Sequence, residues 1–139
     1  MAENSRVLPR STALSEPYWA GCRRGELRIQ HCQACNRYQF YPRVMCSACG
    51  SDSISWQTVS GHGSVGSFTV VRRGVSSAYE APYIVALIDL AEGPRLMSQI
   101  VDLDPADPSL QVGAQVRVAF RSWSAEISLP VFKILPAEG

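Results

Sequence analysis

Cys32, Cys35, Cys46 and Cys49 form two Cys-x-x-Cys pairs with ten residues between them, the residue type and spacing of a tetrahedral metal site. A tight turn within each pair aims two thiolates at one point, and a short hairpin between the pairs brings all four within bonding distance. Asn36 and Gly50 directly follow the second cysteine of each pair. These residue types tolerate a left-handed backbone best, so both turns are expected to be zinc knuckles. Four thiolates saturate the ion, whereas hydrolytic zinc keeps a position for water and usually carries histidine or carboxylate ligands; structural Zn2+ is therefore expected. Rubredoxin-like iron uses the same ligand set, and ligand type favours zinc. Two disulfides would require an oxidising compartment. Met1 to Pro17, polar and basic with scattered prolines, lacks the apolar core of a signal peptide.

Other reactive side chains are few. Cys22 lies outside the ribbon spacing and is expected to be a buried structural thiol rather than a nucleophile. His31 precedes a metal ligand and is expected to pack beside or support the metal site, while His62, between two glycines, reads as a turn residue. No acid and base are paired in sequence, so no catalytic residue is assigned.

These residues must be positioned by a chain of 139 residues, enough for one ordinary domain or for a metal-stapled module beside a second small one. Thirteen basic against twelve acidic side chains leave a net charge of +1, which provides no general field for a phosphate backbone. No apolar run is long enough to span a membrane; Tyr83 to Leu90 is strand-sized, and a soluble cytoplasmic protein is expected.

Along the chain, the first dozen residues read as an arm. Ser15-Glu16-Pro17 signals a helix start with a serine cap, and Gly25 its stop. Tyr18, Trp19 and Cys22 share one face of this short helix, which must pack on something to persist. Leu27 to Cys32 and Tyr38 to Tyr41 look like the arms of a ribbon hairpin, and the second knuckle leads into Ile54 to Val59. From Gly61 the period changes to two, giving a long glycine-containing strand through Val71. Tyr83 to Leu90 and Leu96 to Leu103 follow, joined by the turn Ala91 to Pro94; Asp104 to Pro108 interrupts the sheet. Val116, Val118 and Phe120 alternate with polar residues, and Leu129 to Leu135 supplies the last strand. The expectation is a mainly β chain: arm and helix over 1–27, a four-cysteine ribbon over 28–58, and a five-stranded barrel of OB-fold type over 59–139.

In this order, the segments from Tyr18 to Leu27, Cys32-Gln33-Ala34-Cys35 with Tyr41-Pro42-Arg43, and Cys46 to Ser51 resemble the DUF35 family. So do Trp56, Gly61-His62-Gly63, Phe68 to Val71 and Pro82 to Ile88. The family pairs a rubredoxin-like zinc ribbon with an acyl-CoA-associated OB-fold, and the resemblance covers nearly the whole chain. It implies a non-catalytic subunit bound to a thiolase-fold enzyme (a thiolase, a related synthase or a sterol side-chain aldolase) in a heterotetramer with two copies of each chain. The catalytic residues would then belong to the partner, and this chain would help form or shape a channel for a CoA thioester.

A CoA ester presents adenine, phosphates and a thin pantetheine arm, so a contact face should combine arginines with exposed aromatics. Arg72 and Arg73, at the end of the first barrel strand, are the candidate phosphate contacts, weighed against an ordinary solvated strand end. Val7, Leu8, Tyr18 and Trp19 are the candidate partner contacts, weighed against Tyr18 and Trp19 simply covering the barrel mouth. Tyr38, Phe40 and Tyr41 are expected to shield the thiolates or line an interface. Trp56 and Trp123 read as core or barrel-end residues. The competing class is a nucleic-acid-binding ribbon and OB-fold module, against which near-neutral charge and a single lysine argue.

Overall fold

The computed structural model describes residues 6–136. A short helix, α1 (Glu16–Arg23), leads into β1 (Arg28–Cys32), β2 (Tyr38–Gln39) and β3 (Ile54–Thr58), which form a sheet of order β2-β1-β3. Then β4 (His62–Val71), β5 (Tyr83–Leu90), β6 (Arg95–Ile100), β7 (Gln115–Ser122) and β8 (Ser128–Ile134) close a barrel of order β4-β5-β6-β8-β7. The mainly β architecture, the ribbon and the five-stranded barrel are as the sequence leads one to expect. No helix among the described residues is long and apolar enough to cross a membrane.

Period-two alternation builds the barrel core. Along β5 every second residue, Ile84, Ala86, Ile88 and Leu90, is buried, meeting Val65, Val116 and Phe132 from the neighbouring strands. A register shift between Val65 and Ser67 marks a bulge at Gly66, where a Cβ would collide with the Asp89 carboxylate and the Arg95 guanidinium. The barrel closes through β7 on β4 and, on the other side, through a parallel contact of β6 with β8 that consists of the single pair Ile100 and Phe132.

Three boundaries differ from the sequence-based expectation. Ser15 occupies the N-cap position of α1 but does not cap it with its side chain; its hydroxyl instead accepts from the Thr12 backbone N–H, at 2.9 Å. The third barrel strand ends at Ile100 rather than Leu103, because Asp102 adopts a left-handed conformation (φ 57°) and its carboxylate turns to Arg121 and Lys133. The ribbon arm expected over Tyr38 to Tyr41 pairs only at Tyr38 and Gln39, since the chain beyond is drawn away by side-chain bonds described below. The stop of α1 is as expected: Gly25 (φ 77°) donates to the Cys22 carbonyl and Glu26 donates to that of Gly21, the two bonds of a Schellman motif.

The helix is the joint between ribbon and barrel. Tyr18 and Cys22 from α1, Leu27 and Ile29 from the ribbon, and Phe132 and its neighbours from the barrel belong to one buried cluster.

Candidate metal centre and barrel cleft

Each Cys-x-x-Cys turn is held by the same pair of backbone bonds. In the first, Cys32 N–H donates to Arg37 O (2.8 Å) and Asn36 N–H to Cys32 O (2.8 Å); in the second, Cys46 N–H donates to Ser51 O (2.8 Å) and Gly50 N–H to Cys46 O (2.9 Å). Both turns need a left-handed residue after the second cysteine, and Asn36 (φ 65°) and Gly50 (φ 79°) supply it. The four Sγ atoms lie within 4.8 Å of one another, with Cys32 to Cys49 and Cys35 to Cys46 each at 3.6 Å. A tetrahedral ion with zinc–sulfur bonds of about 2.3 Å requires sulfur–sulfur edges of about 3.8 Å, so the set fits zinc. The spacing is far too long for a disulfide, in which the sulfurs stand about 2.05 Å apart.

The surroundings favour the thiolate form at one corner. Backbone N–H groups of Cys49 and Ala48 point at the Cys46 sulfur (3.4 and 3.3 Å) and bring its pKa down to about 6. Cys35 is pushed up to about 12, first by desolvation and then by its contact with Cys46. His31 does not approach as a ligand; its ring rests against Tyr38, with centroids 4.7 Å apart, and its Nδ1 meets Gln57 Nε2 at 3.4 Å. Cys22 is 1% exposed, and burial drives its thiol up to about 12. His62 opens β4 and is exposed.

Two glutamines that the sequence did not single out tie the knuckles together. Gln30 and Gln39 are buried at 2% and 7% exposure. Gln39 Nε2 donates to Gln30 Oε1 (2.7 Å) and to Met45 O (3.3 Å), while Gln39 Oε1 accepts from Ser47 N–H (2.9 Å). Gln30 holds Arg43 from both sides, accepting its N–H and donating to its carbonyl, both at 2.8 Å. Their only sequence signal is an amide at an inward-facing strand position, which reads as polar surface until the strand direction is known.

A cleft of about 470 Å³ opens on the barrel between the β4–β5 and β7–β8 connections. Its floor is β6 and β8; Tyr18 from α1 and Arg6 from the arm complete it, with Tyr79, Tyr83, Arg121 and Trp123 on its walls. Arg6 lies over the Trp123 ring, 5.0 Å from its centroid, and Val7 N–H donates to the Tyr79 hydroxyl at 3.0 Å. Arg121 and Lys133 share the Asp102 carboxylate at 2.8 and 3.1 Å, so this group of three, of which Arg121 lines the cleft, carries one net positive charge. Glu80 is the carboxylate among the lining residues.

Arg72 and Arg73 follow β4, exposed and without an ion pair among the described residues; they stand on the connection that walls the cleft but do not line it. Of the candidate partner contacts, Val7 and Leu8 are 81% and 42% exposed, whereas Tyr18 is 9% exposed and Trp19 packs partly against the core. Trp56 likewise packs against the core, and Trp123 belongs to the cleft.

Residues 19–55 match the family described as ChsH2, rubredoxin-like zinc ribbon domain, and residues 56–121 match ChsH2, C-terminal OB-fold domain. A DUF35 domain-containing scaffold protein of Methanothermobacter thermautotrophicus is 35% identical over 92 residues, 65% of this chain and 68% of that protein. A probable enoyl-CoA hydratase alpha subunit of Thermomonospora curvata is 34% identical over 118 residues, 84% of this chain but 36% of that longer protein. Among solved structures, a chain of the Ltp2-ChsH2(DUF35) aldolase superposes with a TM-score of 0.82 at 30% identity, covering 91% of this chain and 98% of that one.

Proposed function

The chain belongs to the DUF35 family, and from that premise we propose that it is a zinc-stapled accessory subunit of a thiolase-fold enzyme acting on acyl-CoA thioesters. Its relatives bear the names of a probable hydratase alpha subunit and of a DUF35 domain-containing scaffold protein, and a similar solved chain belongs to an aldolase, which supports an accessory role.

The observation that carries the reading to a CoA-ester channel is the composition of the cleft. Aromatic rings and guanidinium groups converge over a strand floor, matching a ligand with an aromatic base, anionic groups and a narrow apolar arm. The hydroxyls of Ser98 and Ser122 are engaged, donating to Pro130 O at 2.8 Å and Ser124 O at 3.0 Å, so the lining favours holding a ligand over attacking one. Arg72 and Arg73 extend the positive edge along the β4–β5 connection and remain the proposed phosphate contacts. The reactive carbon would lie in the partner, with this barrel gripping the carrier.

The test is a pulldown of the tagged chain from its native extract, with mass spectrometry of what is retained. A thiolase-fold protein recovered in equal amount is the expected result. Nucleic acid or ribosomal proteins recovered instead, and lost on washing with high salt, would overturn it in favour of a nucleic-acid-binding module.

A further inference from the structure

The chain between the two knuckles exposes large apolar side chains in close succession: Tyr41 at 58%, Val44 at 72% and Met45 at 50%. Scattered apolar residues on a surface are ordinary, but three within five positions of one exposed segment concentrate apolar area there and read as a patch. This patch is not loose. Gln30 grips the Arg43 backbone at both its N–H and its carbonyl, and Gln39 holds Met45 O and Ser47 N–H, fixing the segment from beneath. Burying two amides costs free energy unless their polar atoms are bonded, and here those bonds are directed at a segment whose own apolar side chains face water.

We propose that Tyr41, Val44 and Met45 form a preordered docking knob that seats in an apolar, carboxylate-rimmed cleft on the partner enzyme; this rests on the accessory-subunit reading above. Ordering the knob during folding removes that entropic cost from association. The sign of the rim follows from Arg43 and not from the ribbon's overall charge, because the three arginines and one aspartate of residues 28–58 are balanced by the two net negative charges of four thiolates on Zn2+. Arg43, within the knob, is exposed and has no ion pair among the described residues.

Position supports the same occupant. The Tyr41 ring lies 4.6 Å from that of Phe40, which lies 5.4 Å from that of Tyr18, and Tyr18 lines the barrel cleft. A subunit seated on the knob therefore stands two ring contacts from the proposed CoA channel, close enough to share it.

The test compares purified, zinc-loaded chains for affinity to the thiolase-fold protein that the wild-type chain captures. Val44→Glu/Met45→Glu is expected to weaken binding about a hundredfold or more while zinc stays at one per chain, as for residues at the centre of an interface. Arg43→Glu is expected to weaken it about tenfold at low salt, with the difference shrinking at about 0.5 M salt. Should the double variant lose zinc, Tyr41→Ala takes its place and must weaken binding about tenfold. Wild-type affinity in these variants overturns the knob and leaves the accessory role standing. A wild-type chain that captures no thiolase-fold protein overturns both.

Discussion

At the scale of single residues, five cysteines have two chemistries. Cys22 is buried, with its thiol raised to about 12, while the other four bring their sulfurs within 4.8 Å of one another, a set that fits one ion. Native protein treated with a thiol reagent at about pH 8 is therefore expected to react little. Chelation should expose the four ribbon thiols, leaving Cys22 to react only on unfolding; five thiols released together by chelation would contradict this. Cys46→Ser should bring metal content from one ion per chain to near zero, measured by elemental analysis. The glutamines carry a separate prediction. Gln39→Leu removes the acceptor of the part-buried Ser47 N–H bond and one of the two donors to the buried Gln30 Oε1, which keeps its bond from Arg43, so a loss of about 1 kcal/mol in denaturant unfolding is expected. An unchanged midpoint would mean that water replaces the amide.

At the scale of elements, α1 shows how close approach decides a residue. Alanine at position 21 would gain helix propensity worth up to about 1 kcal/mol. Its Cβ, however, would stand 2.8 Å from Arg28 Cγ and 2.9 Å from the Glu26 carbonyl oxygen. Arg28 is a flexible side chain, but the Glu26 carbonyl is backbone inside the Schellman turn and cannot retreat cheaply. Overpacking of this kind costs about 1–3 kcal/mol, so Gly21→Ala is expected to lower the melting temperature despite the better helix former. The elements legible in the sequence were those set by local pattern: the knuckles from cysteine spacing, β5 from a strand-sized apolar run closed by the Gly93-Pro94 turn, and the stop of α1 from Gly25. Less legible were ends set by distant partners. The pairing of β2 stops at Gln39 because Gln30 on a neighbouring strand captures Arg43, and β6 stops early because Asp102 meets Arg121 and Lys133. The cleft was hidden for the same reason: Arg6, Tyr79 and Trp123 are separated by long stretches of chain, and only barrel closure brings them together.

At the scale of the whole molecule, the ribbon and barrel are joined through one core. Leu27 and Ile29 share their buried cluster with Tyr18, Cys22 and Phe132, so loss of metal loosens packing that the barrel also uses. Zinc removal is accordingly expected to lower a single melting transition rather than to remove one of two, as calorimetry would show. An unshifted barrel transition after chelation would refute the coupling.

The contact that closes the barrel between β6 and β8 gives this molecule a built-in reporter. Only Ile100 and Phe132 pair there, and the adjoining Val101 N–H donates to Phe132 O at 2.9 Å. Although Ser98 Oγ also bridges to Pro130 O, this seam has one backbone pair against six between β5 and β6 and seven between β7 and β8, and amides at a sparsely bonded seam exchange sooner than those paired along a full ladder. The same two strands floor the cleft. A molecule lying across it would clasp both sides of the seam, so occupancy should be legible as slowed deuterium uptake at Val101, with no need for turnover.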